Sequence, residues 1–168
     1  GGVGHWAGAS RGKGFAGKVP IVLVWRKMAG HEEKSRVFDV SLNGNSVKPE
    51  KVNQHLVFRD GVKLGENVVK LSFESPILKS GSAITRYIDS EDGSEYIYSL
   101  FVPSDASTAF PVFDQPDLKA RFKLSIVRPS DWWVIGNSPV CAGQGAGSGR
   151  MREEFCETRP VSTYVFAF

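Results

Sequence analysis

Three histidines, two cysteines and two close pairs of carboxylates are the residues of this chain whose chemistry could serve catalysis or metal binding. His31-Glu32-Glu33-Lys34-Ser35 begins like a zinc-protease helix, in which His at i and i+4 turn both rings to one metal and Glu beside the first acts as base. Position 35 is Ser and Gly30 precedes the segment, so the second ligand is missing and a charged loop is expected. His5 and His55 are scattered, which leaves no zinc ligand set in this chain. No Gly-x-Ser-x-Gly elbow occurs, and no Cys–His pairing can be picked out. Glu153-Glu154 and the pair Asp114/Asp117 have acid–base potential; the latter bracket Pro116, where carboxylates are expected to bond turn N–H groups. The glycines of 143–149 lack the Gly-Lys-Ser/Thr ending of a phosphate loop. Cys141 and Cys156 flank that loop on adjoining strands; two half-buried free thiols are expected, with a hairpin-closing bridge as the alternative.

Aromatic residues offer binding rather than catalysis. Tyr96, Tyr98, Leu100 and Val102 share one face of a strand, with Ile97, Ser99 and Phe101 on the other. With both faces apolar, a strand covered on two sides is expected, and a ligand groove is the sharper alternative. Trp132-Trp133 sends one indole to each face of its strand, leaving one to meet a neighbouring domain.

The elements that must carry these residues read as strands almost throughout. Phe38, Val40 and Leu42 alternate with Val37, Asp39 and Ser41 before Asn43-Gly44, a strong hairpin signal because both turn residues need φ > 0. Val69, Leu71 and Phe73 alternate in the same way, as do Phe122, Leu124 and Ile126, with Pro129 ending that strand. Further strands are expected over 20–27, 54–58, 83–88, 95–102, 132–136 and 161–167, and a single helical turn near Ser104–Thr108 with Ser104 as N-cap. Residues 142–149 read as a mobile hairpin loop. The fold class is therefore all-β: an antiparallel sandwich or a large open sheet. Glycines at 1, 2, 4, 8, 12, 14 and 17 mark residues 1–14 as a flexible arm or tag-like segment, and 15–168 as one domain.

Composition narrows the function classes. The 168 residues, 41% hydrophobic and 23% charged, are ordinary for one globular domain that buries roughly 70% of its unfolded surface. A net charge of +3, with acids and bases interleaved, excludes the basic stripe of a nucleic-acid binder. No apolar run approaches the ~18 residues of a membrane span. The compartment stays open between cytoplasm and periplasm.

One stretch is more specific than any of these patterns. Thr108-Ala109-Phe110-Pro111-Val112-Phe113-Asp114-Gln115-Pro116-Asp117-Leu118-Lys119-Ala120-Arg121-Phe122 closely resembles the FPCFDxPxxKAxF signature of the amino-terminal domain of M1-family zinc aminopeptidases. Glu157-Thr158-Arg159-Pro160-Val161-Ser162-Thr163-Tyr164-Val165-Phe166-Ala167-Phe168 is similar to that family's closing ET-x-P-x-STYLFAF strand. Gly65-Glu66-Asn67-Val68-Val69, Tyr96–Pro103 and Arg128-Pro129-Ser130-Asp131-Trp132 add weaker likeness, so the resemblance covers about residues 15–168.

The resemblance implies a saddle-shaped β domain packed against a thermolysin-like catalytic domain of the same polypeptide. That catalytic domain would carry the GAMEN motif, the HExxH…E site and its zinc; this chain has neither motif and no cofactor of its own. The implied partners are the catalytic domain and, in the intact enzyme, peptide substrates. The implied substrate-contacting residues are Tyr98, Leu100 and Val102. Family members often place Gln or Glu at the position of Val102 to hold the substrate's α-amino group, and a polar residue at that of Leu100. Val112 stands where Cys is usual. The alternatives are a catalytically dead scaffold of the same family, or an unrelated β-sandwich with Trp132, Trp133 and Tyr98 as a binding platform.

Overall fold

The computed structural model describes residues 2–12, by backbone alone, and 19–168. The period-two runs become strands where a neighbouring strand lies within reach. β1 (Gly2–Gly12) and β2 (Ile21–Val24) open the chain, and a single 3-10 turn at Glu32–Lys34 leads into β3 (Arg36–Leu42). Asn43 (φ 53°) and Gly44 (φ 87°) adopt the left-handed conformation of a two-residue hairpin turn and bring back β4 (Asn45–Ser46). Asn53 and Gln54, also at positive φ, join β5 (Glu50–Val52) to β6 (His55–Phe58). β7 (Gly65–Ser75) is the long central strand.

These strands form two antiparallel sheets, in the orders β1-β7-β3-β4 and β2-β6-β5. The glycine-rich beginning, expected as an arm, contributes β1, paired along β7 from Gly2↔Ser75 to Gly12↔Gly65. Alternate residues from both sheets meet in a first core of Ile21, Leu23, Trp25, Leu42, Leu56, Phe58, Val69 and Leu71. Their spacing of two is why the core-facing set comes from one side of each strand.

One polar knot closes the end of this core. Asn67, only 4% exposed, accepts from the Lys63 N–H (2.9 Å) and Asn43 Nδ2 (3.0 Å), and donates to the carbonyls of Lys63 (2.8 Å) and Gly65 (3.2 Å). Asn43 Oδ1 accepts the Val68 N–H at 3.0 Å, so the hairpin turn and the start of β7 are stitched together. Replacing Asn67 by Ala removes the four hydrogen bonds of a buried side chain, and a loss of about 1–3 kcal/mol is expected. Urea unfolding with unchanged m-value would measure it; a shift below a few tenths of a kcal/mol would refute it.

The second half is looser. β8 (Ile84–Ile88) and β9 (Glu95–Ser99) form a hairpin, followed by the short helix α1 (Ala106–Ala109). β10 (Ser125–Pro129), β11 (Val140–Gly145) and β12 (Arg150–Phe155) make a three-stranded sheet in the order β10-β12-β11. A second core joins Ala83, Phe101, Ala106, Ala109, Phe110, Val112 and Phe166. Phe73 touches both cores, against Trp25 at 6.3 Å and Phe110 at 6.4 Å between ring centroids. Backbone bonds between Val24 and Val112 (2.8 and 3.0 Å) tie the halves together.

Several expectations are corrected here. Residues 132–136 alternate in exposure as a strand does but join no sheet, and 161–167 contains a 3-10 turn at Thr163–Val165. Ser162 and Thr163 spend their hydroxyls on the Pro116 and Phe113 carbonyls, which fixes the turn against the 113–116 loop. The strand expected through Phe122, Leu124 and Ile126 begins only at Ser125, because the preceding residues meet the returning chain at separate points, Ala120 with Val161 and Phe122 with Thr158, rather than in a continuous ladder. The expected mobile loop shrinks to 146–149, since β11 runs to Gly145. The helical turn starts after Asp105, and Ser104 gives its backbone carbonyl, not a capping hydroxyl. Cys141 and Cys156 are bonded, not free: the β11–β12 pairing brings their Cα atoms to 5.1 Å, within disulfide reach.

Candidate functional site

Tyr98, Leu100 and Val102 are brought together on one exposed edge of the β8–β9 hairpin and its continuation. Tyr98 lies opposite Thr85, and Tyr96 opposite Tyr87, with their ring centroids 6.2 Å apart. Exposure is 51% for Tyr96, 45% for Tyr98, 58% for Leu100 and 54% for Val102. The expectation of a strand covered on both sides is overturned by this exposure: β8 and β9 form a two-stranded sheet that is bridged beyond β8 only by Leu78, against Thr85, among the described residues. Tyr87 belongs to the same surface and was missed, although it stands in the same alternating run as Thr85.

The row is held from beneath. Phe101, 1% exposed, points away from it into the second core and meets Phe110 at 5.5 Å, Phe166 at 6.2 Å and Phe168 at 6.4 Å. The Leu100 N–H donates to Ala83 (2.8 Å) and the Ser99 N–H to the Phe168 carbonyl (2.9 Å). After the cis Val102-Pro103 bond, Arg26 grips the following turn: Nε donates to Ser107 Oγ (2.8 Å), and Nη2 to the Ser104 carbonyl and Asp105 (3.1 Å). Sequence inspection had no signal for Arg26, which acts across some eighty residues.

Nearby charge is already committed. Asp105 pairs with Arg26 and Glu95 with Arg86. The Arg86 hydrogen bond, reinforced by its charge, holds the Glu95 carboxyl below the ordinary 4.5. A depressed folded value means that this pairing supports the hairpin above the ordinary glutamate range and is lost as pH falls through the lowered value. Glu95 should accordingly titrate below 4.5 in a side-chain NMR titration. Arg86→Gln should return it to the ordinary value, and no change in that variant would count against the pairing. What remains exposed for a ligand is apolar surface and tyrosine hydroxyls.

The other candidates do not converge. His31 sits at a 3-10 turn with Lys34 Nζ 3.4 Å from its Nδ1, and His55 Nδ1 lies 2.6 Å from the Asn53 carbonyl. His5 lies outside the described side chains. Among the described residues no three His, Cys, Asp or Glu side chains gather as a metal site. The turn after Asp114 is closed by the backbone carbonyls of Gln115 (3.1 Å) and Asp117 (3.0 Å), where carboxylates were expected. Glu153 is tied to Arg128. Trp132 is half-buried and Trp133 is 93% exposed, so the two indoles do face opposite ways, though from no sheet.

Against known proteins, the model of the peptidase M1 N-terminal domain matches residues 26–165. Aminopeptidase N of Streptomyces lividans is 34% identical over 105 residues, 62% of this chain and 12% of its own length. Aminopeptidase N of Acetobacter pasteurianus is 30% identical over 117 residues, 67% of this chain and 32% of its own. Probable aminopeptidase 1 of Sulfurisphaera tokodaii is 33% identical over 132 residues, 76% of this chain and 16% of its own. The chain thus spans less than a third of the length of each of these relatives.

Proposed function

Because the chain belongs to the peptidase M1 N-terminal domain family, we infer that it is the non-catalytic amino-terminal domain of a zinc-dependent aminopeptidase, a hydrolase that removes N-terminal residues from peptides. The domain comprises 15–168 together with strand β1, and it packs on the catalytic domain of the same polypeptide. In this reading the zinc belongs to that other domain, as membership of the M1 family implies. The single observation that carries the reading is the exposed row of Tyr96, Tyr98, Leu100 and Val102, rigidly anchored by buried Phe101. Such a row is a surface built to be covered. In the intact enzyme Tyr98, Leu100 and Val102 form one wall of the substrate cleft.

The test is made in the parent polypeptide. Tyr98→Ala, Leu100→Ser and Val102→Ser together should raise KM for aminoacyl substrates roughly tenfold with little change in kcat, the signature of lost ground-state and transition-state contacts alike. Unchanged KM in a stably folded triple variant would overturn the role. The isolated chain should release no amino acid.

One feature favours a second reading, a scaffold of this family that has lost catalysis and serves protein interaction. Val102 has no acceptor for an ammonium hydrogen bond, and Leu100 is likewise apolar. A parent that retains an HExxH motif and peptidase activity would eliminate it.

A further inference from the structure

Residues Trp133–Gly136 alternate like a strand and have no sheet. Trp132, Val134 and Gly136 are half-buried, whereas Trp133 and Ile135 are 93% and 83% exposed. The inner side is fixed, since a Cβ on Gly136 would stand 3.2 Å from the Phe155 ring. Both ends are tied: the Trp132 N–H donates to Pro129 (3.2 Å), while Asn137 Nδ2 donates to the Val165 carbonyl (3.0 Å) and its Oδ1 accepts the Ala167 N–H (2.6 Å). Between these ties, no backbone N–H or C=O of residues 133–136 has a hydrogen-bond partner among the described residues. A held segment with free backbone groups and two large apolar side chains on one side offers what strand addition requires: main-chain bonding for affinity and alternate side chains for specificity.

We propose that Trp133–Gly136 is a strand-addition site that receives an extended, apolar-alternating segment of the same polypeptide from outside this chain. This rests on the reading of the chain as one domain of a longer protein. A partner in the same polypeptide is favoured on area. Four residues with one Trp and one Ile bury only a few hundred Å2, short of the roughly 800 Å2 per partner of a stable separate interface. A tethered strand needs less, because its effective concentration reaches about the millimolar range.

Hydrogen exchange of the residue 133–136 amides, compared between this chain and the intact parent, tests the assignment. Two alternate amides of the four should exchange at least about a hundredfold more slowly in the parent, and Ile135→Asp in the parent should abolish most of that protection. The same substitution in this chain should leave its melting unchanged, because the side chain is exposed. Equal exchange in chain and parent overturns the proposal, as does protection that survives Ile135→Asp. Protection that grows with the concentration of this chain alone also overturns it, in favour of a second copy. The readout does not need peptidase activity, so an inactive parent would sink the preceding reading and leave this one testable.

Discussion

Phe101→Ala is expected to lower the folding free energy by about 3–5 kcal/mol, a large part of what a domain of this size possesses. The ring is 1% exposed and lies among Phe110, Phe166 and Phe168, while Phe166 stacks in turn on Phe122 at 4.4 Å and 11°. Few of these neighbours can close the gap, because aromatic rings move as plates and several are themselves interlocked. The comparison that gives the result meaning is Leu100→Ala. Leu100 is the adjacent residue and 58% exposed, so its truncation should change stability by no more than about 0.5 kcal/mol. Denaturant unfolding of both variants measures the contrast. Similar losses in the two would mean that the alternation along 96–102 has been assigned to the wrong faces.

Breaking the Cys141–Cys156 bond should cost about 3 kcal/mol, the value for a closed loop of some fifteen residues. The effect should be concentrated in β11. All six of its residues are exposed, and its ladder is to β12. The bridge and one ladder are what hold it. Reduction should therefore lower the melting temperature and speed amide exchange in β11 well before the first core opens. If β11 amides exchange no faster after reduction, the ladder alone suffices and the assignment of stability to the bridge is wrong.

Much of the fold was legible because the physics involved is local. Asn43-Gly44 specified its hairpin turn by backbone conformation, and the run at 68–73 became β7 with Val69 and Leu71 buried. In β3, by contrast, the expected face of Phe38, Val40 and Leu42 is broken by a register shift between Phe38 and Ser41, which turns Val37 to the core and leaves Phe38 exposed. The family, too, was legible, in Phe110–Phe122 and Glu157–Phe168, and the match over 26–165 agrees. The errors fell where an alternating pattern could not say whether a neighbour would arrive. Residues 132–136 and 161–167 have strand-like composition, but a strand exists only when a second one supplies its hydrogen bonds.

The candidate site divides in the same way. That Tyr98, Leu100 and Val102 share a face follows from a period of two and needs no tertiary information. That the face is open, that Phe101 pins it from below, and that Arg26 closes the turn beyond it depend on contacts between residues far apart in the chain. The pairing of Cys141 with Cys156 belongs with these. Spacing allowed either thiols or a bridge, and only the register of β11 on β12 set the Cα atoms 5.1 Å apart. Sequence determined the turns, the alternation and the family, because each is written in neighbouring residues. Tertiary structure alone decided which alternating faces are buried, since burial depends on what the rest of the chain brings to meet them.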